Sequence, residues 1–235
     1  MWDASGSIAK SERCPSNRSA GSNDATSRRA GGYSKDLQMP HWTSIVAYLG
    51  DAAVMLPAAM AIVAWLAACG AWKIAITWTL AFSTACLLVA GSKVIYMAWG
   101  WHVPSLAFNA LSGHAMLSAA ILPMAGYMLM NALRADRRTA GGLGGAVASV
   151  GMGVFLVFFE YHSVSETVGG WLAGAAAAFA VLRRRPSISN ASAARWRSLG
   201  GVLVFVLMWH AEPGVAKLWI VQTALHLSGK ESPYE

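Results

Sequence analysis

Between Met39 and Leu133 the chain carries three formal charges, Asp51, Lys73 and Lys93, in a run otherwise dominated by apolar residues. No water-soluble globule can cover its surface with so few. Across the 235 residues, 12% are charged and 56% hydrophobic, against roughly 25% charged in soluble domains. A helix needs about 20 mostly apolar residues to cross a bilayer. In lipid, only helices and closed barrels satisfy their own backbone groups. The pattern predicts an all-α polytopic membrane protein with about six transmembrane helices. The expected spans are 52–69, 74–90, 113–133, 142–159, 167–182 and 199–225, the last kinked at Pro213. Gly141, Gly145 and the small residues after them predict a close helix-packing face.

Residues 1–42 form a polar tail rich in Ser, Gly, Ala, Asn and Arg, residues 43–228 the membrane domain, and residues 229–235 a short polar end. The tail has too few large apolar side chains to order itself and lacks the apolar core of a signal peptide. The break in composition at Met39 makes that residue a candidate start of the biological chain. A tail peptide recovered by mass spectrometry from native protein would refute this.

The net charge of +7 raises nucleic acid as a partner, but its distribution excludes it. Six of the 18 basic residues lie in the tail. Eight are arginines in two clusters, Arg134, Arg137 and Arg138, then Arg183, Arg184, Arg185, Arg195 and Arg197. There is no basic stripe interleaved with exposed aromatics. Clusters between apolar spans mark cytoplasmic loops. Alternation then places the 92–112 and 160–165 connections together on the outer face. Trp42, Trp99, Trp101, Trp171 and Trp219 are read as interfacial anchors. Cys14, Cys69 and Cys86 form neither a disulfide framework nor a zinc spacing, and read as small packing residues.

Ionisable groups at membrane depth are expensive and mark function by default. Those beyond the loops are Asp51, Lys93, His102, His114, Glu160, His162, Glu166, His210, Glu212 and Lys217. Lys93, the Ser112-Gly113-His114 stretch and Glu160 to Glu166 all fall at outer span ends, so distant stretches converge on one face. The set suits phosphate chemistry. Ser112 can cap a helix whose first-turn N–H groups make an anion site, and Gly113 permits close approach. Lys93 can neutralise a phosphate oxygen. One histidine can attack phosphorus while the other protonates the leaving oxygen. A carboxylate beside the attacking histidine fixes its tautomer and stabilises its cation.

At these residues the chain resembles the type 2 phosphatidic acid phosphatase (lipid phosphate phosphatase) superfamily, over roughly residues 50–182. The resemblance rests on Gly91-Ser92-Lys93-Val94, on Leu111-Ser112-Gly113-His114, and on His162-Ser163-Val164-Ser165-Glu166 followed by Val168-Gly169-Gly170, in family order. It implies that His162 is the nucleophile forming a phosphohistidine, Glu166 orients it and His114 is the general acid. It also implies that Lys93, Ser112 and the Gly113 backbone hold the phosphate. No metal or other cofactor is then needed. The implied substrate is a lipid phosphate met in the bilayer, probed from the outer or periplasmic face of a bacterial inner membrane. The oligomeric state stays open.

The chain departs from the family pattern at four places. No Arg-Pro follows Lys93, Leu111 replaces a proline, and Glu166 replaces an aspartate. The fourth is Leu156, which stands six residues before His162 where an arginine is expected, with Phe155 in place of a serine. Losing a bidentate phosphate donor weakens transition-state stabilisation. Glu160 adds negative charge nearby. Either another cation substitutes, or activity is low or absent.

Each residue also has a plainer role. Ser163 and Glu166 match a helix capping box, His114 an interhelical hydrogen bond, and Lys93 a snorkelling lysine. Asp51 reads as a helix-end or packing residue, although it can face the same outer pocket, and His210 and Glu212 beside Pro213 read as groups that satisfy a broken helix. The leading expectation is a membrane phosphatase. The alternatives are a silent relative that binds or moves a phospholipid or serves as a structural partner, and a haem carrier with His114 and His162 as axial ligands.

Overall fold

The computed structural model describes residues 41–133, 135–183, 215–230 and 232–233. Among the described residues the secondary structure is helical, with one isolated bridge between Val103 and Phe108. The helices are α1 (His41–Leu49), α2 (Ala52–Ala68), α3 (Trp72–Trp99), α4 (Gly113–Leu133), α5 (Arg138–Phe158), α6 (Val164–Leu182) and α7 (Val215–Ser228). Five segments are long and apolar enough to cross a membrane: Trp42–Ala68, which takes in α1 and α2, and then α3, α4, α5 and α6. Residues 199–214 of the sixth expected span, with Pro213, His210 and Glu212, lie outside the described residues, as do the tail and most of the second arginine cluster. The remainder of that span forms α7.

The surface of the bundle is apolar. Leu87, Val147 and Phe158 are each more than 70% exposed, the inverse of a soluble helix and the pattern of a lipid-facing wall. The interior centres on α4, which packs against α2, α3, α5 and α6. Met116, Ile121, Met124 and Tyr127 of α4 meet Leu66 of α2 and Trp78 of α3 in one core.

Small residues set how closely α4 is approached. A side chain at Gly145 would strike the backbone of Leu122 and Pro123, and one at Gly126 the backbone of Gly141. This is the packing face expected from Gly141 and Gly145. On the other side, a side chain at Gly170 would strike the Ser112 backbone. The N-terminal ends of α4 and α6 are thereby drawn together, and Ser112 N–H donates to Glu166 C=O at 3.0 Å.

The second expected span is corrected. The second span does not end near residue 90, because α3 continues to Trp99 and closes on Gly100 in the left-handed conformation, φ 71°. Lys93 is therefore carried on a helix, not in the outer connection. Trp171, expected as an interfacial anchor, is half-buried, and its Nε1–H donates to Ser149 Oγ at 3.0 Å. Trp42 packs edge-on against Phe159, at 5.3 Å between ring centres.

Candidate functional site

Where α5 stops, the chain must turn sharply to start α6. The Leu156 carbonyl accepts from Tyr161 N–H at 2.9 Å and from His162 N–H at 3.3 Å, and Glu160 takes the left-handed conformation, φ 58°. α6 then opens with a complete capping box. Ser163 Oγ accepts from Glu166 N–H at 3.3 Å, and Glu166 Oε2 accepts from Ser163 N–H at 3.4 Å. The capping contact does not exclude a second one, because the same Oε2 lies 3.0 Å from His162 Nδ1. Oε1 accepts from Asn109 N–H at 3.0 Å, which ties the preceding connection to α6. Glu166 is 7% exposed, and its two oxygens have partners from two parts of the chain.

A cavity of about 350 Å³ opens beside this pair. His162 and Glu166 line it with Lys93 from α3, Asn109 from the connection, and Gly113 and His114 from α4. Lys93 Nζ approaches Gly113 so closely that a β-carbon there would sit 3.7 Å away. The ring centres of His114 and His162 are 6.2 Å apart, close enough for both to act on one small group. Among the described residues, no three His, Cys, Asp or Glu side chains converge as metal donors.

Two further charged residues line the same cavity. Asp51 caps α2, Oδ1 accepting from Ala53 N–H at 2.8 Å, while Oδ2 faces His114 Nε2 at 3.7 Å. The helix-end role and the pocket-facing role are thus held by different oxygens. Lys217 enters from the first turn of α7. Sequence reasoning allowed Asp51 to face this pocket and did not place Lys217 in it. The only available signal was that each is an isolated charge beside an apolar segment.

Ser112 stands apart from the other candidates. It is fully buried, its Oγ accepts from Ala115 N–H at 3.4 Å, and it is not on the cavity wall. It acts as the cap of α4, whose first two residues, Gly113 and His114, line the cavity. Glu160 is exposed and also off the wall, so its charge does not enter the site as expected. His102 lies outside as well, its Nδ1 2.7 Å from Gly100 C=O. Leu156 is fully buried and off the wall, and its carbonyl builds the turn to His162.

No family model matches the chain, and no solved structure matches it. It is 32% identical over 171 residues to an uncharacterized 22.5 kDa protein in the cps region of Klebsiella pneumoniae. The match takes in 70% of this chain and 78% of the relative.

Proposed function

The chain belongs to the same family as the 22.5 kDa cps-region protein of Klebsiella pneumoniae, and we propose that it is an integral membrane phosphatase. Its substrate is a lipid phosphate or lipid pyrophosphate, and its intermediate a phosphohistidine on His162. In this account it is a divergent member of the type 2 phosphatidic acid phosphatase superfamily, with α7 completing a sixth span. The observation that carries the proposal is the His162–Glu166 pair, 3.0 Å apart, facing His114 across a cavity that also holds Lys93.

The chemistry follows from the pairing. Glu166 holds the proton on Nδ1 and leaves the Nε2 lone pair to attack phosphorus. As the N–P bond forms, the P–O bond to the lipid breaks. His114 gives its proton to the leaving oxygen. Water then attacks the phosphohistidine, His114 recovers a proton, and inorganic phosphate leaves. Lys93 and the first-turn N–H groups of α4 oppose the charge on the phosphoryl oxygens. Glu166 balances the imidazolium.

Sidedness is part of the proposal. Arg137 and Arg138 start α5 and Arg183 ends α6, at the helix ends opposite the cavity. With arginine loops inside, the cavity opens on the outer, periplasmic side of a bacterial inner membrane. A lipid headgroup meets it there while the tail stays in the bilayer. The test is phosphate release from phosphatidic acid and from polyprenyl pyrophosphate by purified full chain, wild type beside His162→Ala. Release that depends on His162 is expected, and equal rates would remove the mechanism.

A further inference from the structure

The carboxylates of the cavity are already committed. Glu166 spends Oε1 on Asn109 N–H and Oε2 on His162 and Ser163 N–H. Asp51 spends Oδ1 on Ala53 N–H and turns Oδ2 to His114. Two lysines share the same space. Lys93 comes from α3 and Lys217 from α7. Two cations on the wall of one pocket attract an anion between them.

α7 is seated so as to hold its lysine there. Ala216 and Ile220, one helical turn apart, line the cavity with Lys217. Ala224, the next turn along the same face, is fully buried, and α7 packs against α3 and α2. The stripe at 216, 220 and 224 fixes the rotation of the helix, and that rotation delivers Lys217 to the mouth occupied by Lys93.

We infer that Lys217 is a second phosphate-binding residue, and that an incoming phosphate dianion bridges it to Lys93. This rests on the reading of the cavity as a phosphate site, and it makes α7 a working part of that site. Histidine attack places more negative charge on the phosphoryl oxygens, so the second cation acts on the transition state as well as on the bound ground state.

The test is calorimetric titration of inorganic phosphate into full-length protein in a non-ionic detergent, with melting temperatures recorded alongside. Lys217→Gln is expected to weaken binding about tenfold or more, as loss of a charge-assisted hydrogen bond does, with an unchanged melting temperature. Lys217→Arg is expected to keep most of the affinity. Lys217→Met, which retains the apolar stem, is a second neutral variant and is expected to behave as Lys217→Gln. Wild-type affinity in both neutral variants overturns the inference, and so does a wild-type protein that binds no phosphate. Phosphate binding that needs Lys217, in a protein releasing nothing from lipid phosphates, upholds the inference and removes the catalytic proposal. Release from lipid phosphates that is indifferent to Lys217→Gln and Lys217→Met does the reverse.

Discussion

His162 Nδ1 lies 3.0 Å from Glu166 Oε2, and that oxygen also closes the capping box of α6 by accepting from Ser163 N–H. One carboxylate therefore anchors a helix start and orients an imidazole. Residues four apart across a helix start can do this only because His162 precedes the helix by two positions, where the turn built on the Leu156 carbonyl brings it back over α6.

Glu166→Gln separates the two roles. Glutamine keeps one acceptor for the capping contacts, turns its NH2 toward the Asn109 N–H, and loses the charge that stabilises imidazolium. Phosphate release is expected to fall by about a hundredfold or more, the scale of losing a triad carboxylate, with a modest drop in melting temperature from the one lost acceptor. A large drop in melting temperature with normal turnover per folded molecule would contradict this.

Asp51→Asn separates another pair of roles. Asparagine caps a helix about as well as aspartate, so α2 is expected to stay intact. The charge facing His114 at 3.7 Å is lost, and the imidazolium that donates the proton is less well stabilised. A fall in kcat of about tenfold is expected, with KM little changed, in steady-state assays on a soluble phosphate ester.

Gly170→Ala addresses the frame of the site. The added methyl meets the Ser112 backbone, so α4 and α6 must separate at the end where Ser112 N–H and Glu166 C=O are joined. Overpacking of this kind costs about 1–3 kcal/mol. The expected result is a lower melting temperature together with weaker phosphate release. Gly144, with open space around it, is the control, and Gly144→Ala is expected to change neither.

Leu156→Arg is expected to lose folded protein and gain no activity. Leu156 is fully buried and off the cavity wall, so a guanidinium there is an unpaired charge in a packed interior, at a cost of several kcal/mol. Yield and melting temperature in detergent check it. A folded variant with raised phosphatase activity would mean that the arginine reaches the cavity after all.

The helices were legible because apolar runs bounded by charge have one solution in lipid. Gly141 and Gly145 were legible for the same reason, since small residues in a span invite a neighbour. The meeting of Lys93, His114, His162 and Glu166 on one cavity followed from counting span ends. What escaped depends on side-chain direction. Gly91, Ser92 and Lys93 read as the end of a span, yet α3 runs on to Trp99 because Lys93 faces a cavity that holds carboxylates and Ser92 Oγ donates back to Val89 C=O at 2.8 Å. Trp171 read as an anchor because hydropathy carries no depth. Its hydrogen bond to Ser149 depends on how α5 and α6 cross. Lys217 was unreadable as a site residue, because only the packing of α7 on α3 turns it toward Lys93.

The central claim is that His162 carries the phosphoryl group. Full-length protein mixed with phosphatidic acid labelled in its phosphate, quenched in base within the first turnover and mapped by mass spectrometry, tests it most directly. The account predicts base-stable, acid-labile label on His162, absent from His162→Ala, which also releases no phosphate. Label on another residue, or phosphate release by His162→Ala at the wild-type rate, would contradict it.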